Sequence, residues 1–232
     1  MMLIYKAWRE SRARFGVSVV ALLWISVVFV VLQPGRDDAH VPHTYLPFIR
    51  HAVYEGFLRE MFVVFAMVLG FGGLAQERAR GTVGFTLALP VSRARLVGVR
   101  AAAGLLETVA LAHVPGLVLV CASPLVQELY PVGEALRFSA AWSAAGSAIF
   151  AMAFAVSTIV SGGIAAPAVS IATLFLYLVI AQVPPFRALS SLDVLTLMNA
   201  VTPLPLTRLL LTIGVALGLV GVGDAITRRQ DF

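Results

Sequence analysis

FSAAWSAAGSAIFAMAFAVSTIVSGGIAAPAVSIATLFLYLVIAQVPPF, residues 138–186, runs for 49 positions without an Asp, Glu, Lys or Arg. A helix rises about 1.5 Å per residue and a bilayer's hydrocarbon core is about 30 Å thick, so about 20 apolar residues cross it once. The stretch is too long for one crossing and long enough for two. Ser161-Gly162-Gly163 divides it, and Pro167 falls in the first turn of the second half, where a missing N–H is tolerated. Period-2 alternation is absent, which excludes a membrane β-barrel. Helix is what remains, because backbone groups in lipid must bond within their own segment.

The rest of the chain follows the same pattern. Gly16–Leu32 is 17 residues without a charge and ends at Gln33-Pro34-Gly35. Leu58–Gln76 is a second run, and Leu96–Ala122 a third, interrupted by Arg100, Glu107 and His113 with Pro115 as an expected kink. Leu206–Gly223 is the last. These runs predict an all-α membrane protein, one transmembrane domain over residues 1–232, with six spans near 16–33, 58–76, 96–122, 138–160, 163–182 and 206–223. Composition agrees: 59% of the 232 residues are hydrophobic and 12% charged, whereas a soluble domain carries about 25% charged residues. That argues against a soluble enzyme, a nucleic-acid module and a disordered tail. The lone Cys121 excludes an internal disulfide and a cysteine-based zinc cluster.

The net charge of +5 is explained by cationic flanks rather than by nucleic acid. Lys6, Arg9, Arg12 and Arg14, then Arg78, Arg80, Arg93, Arg95 and Arg100, then Arg228 and Arg229 fall on one side of a six-pass chain. Arg36, Arg50, Arg59, Arg137, Arg187 and Arg208 fall on the other. The richer side is expected to be cytoplasmic, with both termini there. No A-x-A-like site follows the first run, so it reads as a retained anchor rather than a cleaved signal.

Three shorter segments carry their own expectations. Met1–Phe15 gathers Leu3, Ile4, Ala7 and Trp8 on one helical face among cations, which suits either a short interfacial helix or a plain basic flank. Val183–Pro205 is apolar enough to suggest two short helices dipping in from the outer side and packing on protein. Small residues recur at four-residue spacing, as Ser143, Ser147, Ala151 and Ala155 and as Gly214 and Gly218; they are expected to serve packing within the chain or, less readily, a dimer contact. His40, His43 and His51 share the outer loop with Asp37 and Asp38, but their spacing fits no tight metal-ligand set.

The connection after the second run reads ERARGTVGFTLALPVSR, residues 77–93. Gly81-Thr82 suggests a turn with Thr82 as helix N-cap, Val83–Leu89 two turns of helix stopped by Pro90, and Ser92 the N-cap of the third span. Apolar side chains exposed there on the cytoplasmic side need a covering surface. With the glycines Gly70, Gly72 and Gly73 ahead of it, the pattern E-R-x-R-G-T…L-x-L-P-V-S-R resembles the permease subunits of type-two ATP-binding-cassette exporters. The resemblance implies that residues 83–89 form a coupling helix seated in a groove of a cytoplasmic ATPase. It also implies a second permease subunit, identical or different, and assigns ATPase coupling to Glu77, Arg80, Gly81, Thr82, Phe85, Leu89, Pro90, Ser92 and Arg93. No GxxxxGK[ST] occurs and Lys6 is the single lysine, so ATP and Mg are expected on the partner and no enzymatic activity on this chain. The location implied is a prokaryotic inner membrane.

Glu107 is the most costly residue to place. Counted from Leu96 it lies about 16 Å into the third span, near mid-bilayer, where a charge costs at least ~2.5 kcal/mol and points to function. It could line a substrate path or subunit interface, or make a structural interhelical bond. Arg100, seven residues earlier, shares its face. His113 lies about 120° away around the helix and reads as a packing histidine. A secondary or ion-coupled carrier titrating Glu107 is the competing function.

Overall fold

In a computed structural model, residues 2–32, 45–72, 81, 91–160, 165–182, 193–200 and 206–229 are described. They are about 90% helical and include no strand. The order is α1 (Met2–Val31), α2 (Tyr45–Ile49), a π-helical turn (Arg50–Tyr54), α3 (Phe57–Gly70), α4 (Arg93–Ala122), a 3₁₀ turn (Ser123–Val126), α5 (Val132–Ile159), α6 (Ala165–Gln182), α7 (Val194–Met198) and α8 (Leu206–Arg229). Four helices, α1, α4, α5 and α8, are long and apolar enough to cross a membrane; α3 and α6 are shorter. The fold is that of an all-α membrane protein.

α5 is the axis. α3, α4, α6, α7 and α8 all pack on it. A Cβ added at Gly146 would sit 2.6 Å from Phe62 Cζ of α3 and 3.0 Å from Thr108 Cγ2 of α4, so only glycine lets the three helices meet there. Ala151 and Ala155, two members of the four-residue ridge, are buried. Gly214 and Gly218 of α8 behave differently: both are exposed and a Cβ on either would meet nothing within 4 Å. α8 packs within the chain through Thr212, Ala216, Gly223 and Thr227 instead. The expected within-chain role of this GxxxG is therefore not the one it has.

The N-terminal segment corrects a second expectation. α1 is one continuous helix of 30 residues, with no separate interfacial helix ahead of the span. Nothing between Phe15 and Val17 ends it, since a single glycine costs about 1 kcal/mol but supplies no stop. Ser18 Oγ donates to the Arg14 carbonyl at 2.9 Å, across the junction. At roughly 45 Å the helix exceeds a hydrocarbon core by about half, so its charged first turns project beyond the apolar zone. α4 is equally long and passes unbroken through Pro115. Its start is capped as expected, with Ser92 Oγ accepting from Arg95 N.

The second run does not fill its expected length. α3 stops after 14 residues at Gly70; Phe71 is extended and Gly72 takes φ +123°. Hydrophobicity continues to residue 76, but two successive backbone changes end the helix first.

At the opposite end, short elements cover α5. Asp193 caps α7, accepting from Leu195 N (3.0 Å) and Thr196 N (3.3 Å), and the Met198 carbonyl accepts from Trp142 Nε1 at 3.2 Å. One of the two helices expected in 183–205 is thus found, packed on protein; residues 183–192 and 201–205 lie outside the described set. Tyr54 stacks on Phe138 with centroids 3.8 Å apart and meets Trp142 edge-on at 5.5 Å. Burial pushes the Tyr130 hydroxyl up to about 12 and raises those of Tyr54 and Tyr45 as well.

Candidate functional site: a charged clasp on the end of α3

Where α3 stops, Gly70, Phe71 and Gly72 are all buried. A helix end leaves carbonyls without intrahelical donors, and buried ones need partners from elsewhere. Three other helices supply them. Arg14 of α1 donates through Nη1 to the carbonyls of Val68 (3.1 Å) and Phe71. Arg100 of α4 donates through Nη2 to the Phe71 carbonyl at 3.2 Å. Ser157 Oγ of α5 lies within hydrogen-bonding distance of the carbonyls of Gly72 (2.8 Å) and Gly70 (3.3 Å), and its one proton is shared with the Phe154 carbonyl (2.8 Å). Two cations at the negative end of the α3 dipole are favourable in sign as well as in hydrogen bonding.

Acidic groups balance them. Glu10 of α1 pairs with Arg100 Nη1 at 3.3 Å and with Lys6 at 3.7 Å. Ser11 Oγ donates to Glu107 Oε1, joining α1 to α4. Glu107 is 5% exposed, and its Oε2 has no hydrogen-bond partner among the described residues. The formal charges of Glu10, Arg14, Arg100 and Glu107 cancel, and each hydrogen bond to a charged group is worth about 1.5–3 kcal/mol net. Gly72 is part of the fit: a Cβ there would overlap the Arg100 guanidinium.

Glu107 lies level with Ser11, which precedes the uncharged part of α1, and it stands just before Thr108, where the charge-free part of α4 begins. Arg100 shares the face of Glu107, but its acidic partner in the structure is Glu10. His113 stands apart and bonds back through Nδ1 to the Val109 carbonyl at 2.8 Å, as a packing histidine does.

Of the residues expected to couple to an ATPase, Gly81 is an exposed turn residue at φ +72°, Ser92 is the N-cap of α4, and Arg93 is its first residue. Glu77, Arg80, Thr82, Phe85, Leu89 and Pro90, with the helix expected over 83–89, lie outside the described residues, as do Asp37, Asp38, His40 and His43. His51 is 3.6 Å from Glu55. Sequence reasoning missed Glu10, Ser11, Arg14 and Ser157 as site residues. Arg14 was visible only as one more inner cation, and its acceptors are backbone carbonyls that carry no sequence signal. No family model and no curated protein matches this chain.

Proposed function

We propose that this protein is the membrane permease subunit of an ATP-binding-cassette transporter, working as an exporter in a prokaryotic inner membrane. Each subunit makes six passes, with α3 and α6 counted beside the four long helices, and both termini are cytoplasmic. Two such subunits, identical or different, enclose the path. A separate ATPase binds ATP and Mg and hydrolyses it; this chain performs no chemistry of its own.

The observation that supports this most is the placement of the clasp. The ERARGTVGFTLALPVSR segment, residues 77–93, begins a few residues after a backbone end that three helices hold by charged and polar bonds. A segment that is pushed by a partner must be tied to what it moves, and residues 73–92 enter from that held end and leave through the Ser92 cap. Residues 83–89 act as the coupling helix, presenting Val83, Leu87 and Leu89 to a groove of the ATPase, with Glu77, Arg80 and Arg93 at its rim. ATP-driven closure of two ATPases displaces this helix, and α1, α4 and α5 carry the displacement across the membrane.

The competing reading, a carrier driven by protons or ions through Glu107, draws on the unbonded Oε2. The two separate in one experiment. Purified with the ATPase encoded beside it, the chain should stimulate vanadate-sensitive hydrolysis, and Leu87→Pro or Phe85→Asp should remove the stimulation while membrane insertion persists. Transport that follows a proton gradient and ignores vanadate would favour the carrier and defeat the assignment.

A further inference from the structure

We propose that Arg14 and Arg100 are positioning residues of the transport cycle: together they fix the end of α3 to α1 and α4, so that displacement of residues 73–92 moves those helices as one body. The inference rests on the permease reading above and names the parts that would carry its motion.

The geometry favours transmission over simple stability. A helix end needing only to be satisfied could be capped by glycine and water. Here the caps come from two separate helices, each reaching the same Phe71 carbonyl, and Arg14 also reaches Val68 one turn back. Arg100 is fixed in turn by Glu10 on α1, closing a ring of α1, α3 and α4. Gly72 leaves the space the Arg100 guanidinium occupies, so backbone and side chain are shaped to each other. The planar fork of Arg100 suits its double contact, Nη1 to Glu10 and Nη2 to the Phe71 carbonyl, and a lysine ammonium does not. The ring lies between the segment that a partner would push and the spans that must respond.

Cys121 provides the reporter. It is exposed, sits near the far end of α4, and lies 21 residues or about 31 Å of helix from Arg100. The complex with its ATPase is labelled there with an environment-sensitive fluorophore, in nanodiscs, and the change on adding ATP and Mg is measured. The wild type should show a nucleotide-dependent change. Arg14→Gln with Arg100→Gln should abolish it while the ATPase still co-purifies and hydrolyses ATP at its basal rate. Arg100→Lys, which keeps the charge but cannot hold Glu10 and the Phe71 carbonyl from two fixed nitrogens, should recover only part of it. A full signal in the double variant would overturn the positioning role and leave the permease reading standing. Failure of the wild-type chain to recover any ATPase would instead overturn the permease reading, and the transmission role with it. If the double variant does not fold, the Arg14→Gln and Arg100→Gln single variants decide the matter by the same readout.

Discussion

Gly98 and Gly104 lie on the same helix, α4, six residues apart, and respond oppositely to the same substitution. A Cβ at Gly98 meets nothing within 4 Å; at Gly104 it lands 2.5 Å from Phe150 Cζ and in overlap with Cε2. Alanine is favoured over glycine inside a helix by about 1 kcal/mol, and that gain is common to both sites. Overpacking a fitted contact costs about 1–3 kcal/mol, and only Gly104 incurs it. Gly98→Ala should therefore stabilise by about 1 kcal/mol, and Gly104→Ala should fall about 1–3 kcal/mol below it. The measurement is reversible unfolding in mixed micelles by denaturing detergent, read by far-ultraviolet circular dichroism. Phe150→Leu supplies the control, since a smaller side chain vacates the ring position. In that background Gly104→Ala should regain the benefit seen at Gly98, giving an interaction energy of about 1–3 kcal/mol, the range for residues in direct contact. Equal stabilisation by both alanines, with additive behaviour toward Phe150→Leu, would refute the close α4–α5 contact on which the bundle is built.

Three further outcomes follow from the same packing. Trp142→Phe keeps an aromatic ring between Tyr54 and Phe62 but leaves the Met198 carbonyl without its donor, and should cost about 1–3 kcal/mol against about 3–5 for Trp142→Ala, measured by the same unfolding. Ser11→Ala should cost about 1–3 kcal/mol in the wild type by leaving buried Glu107 without its donor, and close to nothing in a Glu107→Leu background; equal costs in both would show that the α1–α4 bond does not form. Tyr130 titrates near 12 in the folded protein against an ordinary 10, chiefly through burial. Its neutral form is favoured by folding, so stability is intact below pH 10 and falls as pH rises from 10 toward about 12, where the unfolded chain ionises and the folded one does not. Tyr130→Phe should weaken that alkaline loss, and an unchanged pH profile of the melting temperature would count against the buried tyrosine cluster.

Much of the bundle was legible because a long apolar run has few alternatives in lipid. The starts of α4 and α8, the division near 161–163 and the helix packed over α5 in 194–198 all followed from charge, glycine and proline. The stop of α3 did not, since its apolar pattern continues past Gly70 and the chain turns where arginines from two other helices wait for its carbonyls. Hydropathy records what a side chain prefers; it does not record which backbone groups a distant arginine will bond. The bond from Ser11 of α1 to Glu107 was lost for a related reason: a hydroxyl on another helix leaves no trace in the hydropathy of α4.

The small residues of α8 show the same limit in a form that can be traced to side chains. Gly214 and Gly218 make the familiar four-residue pair, yet they look outward. A second ridge, Thr212 and Ala216 continuing to Gly223 and Thr227, lies two residues out of step, about 200° around the helix, and this one is buried. What distinguishes them is the partner. A Cβ at Gly223 would stand 3.2 Å from Phe154 Cε1 and 3.5 Å from Thr158 Cγ2, so α5 offers a ring and a methyl group that only a small residue can meet. Thr227 closes its own hydroxyl onto the Gly223 carbonyl at 2.8 Å, leaving its methyl for packing. Smallness makes close approach available to both ridges, and the shape of α5 decides which of them uses it.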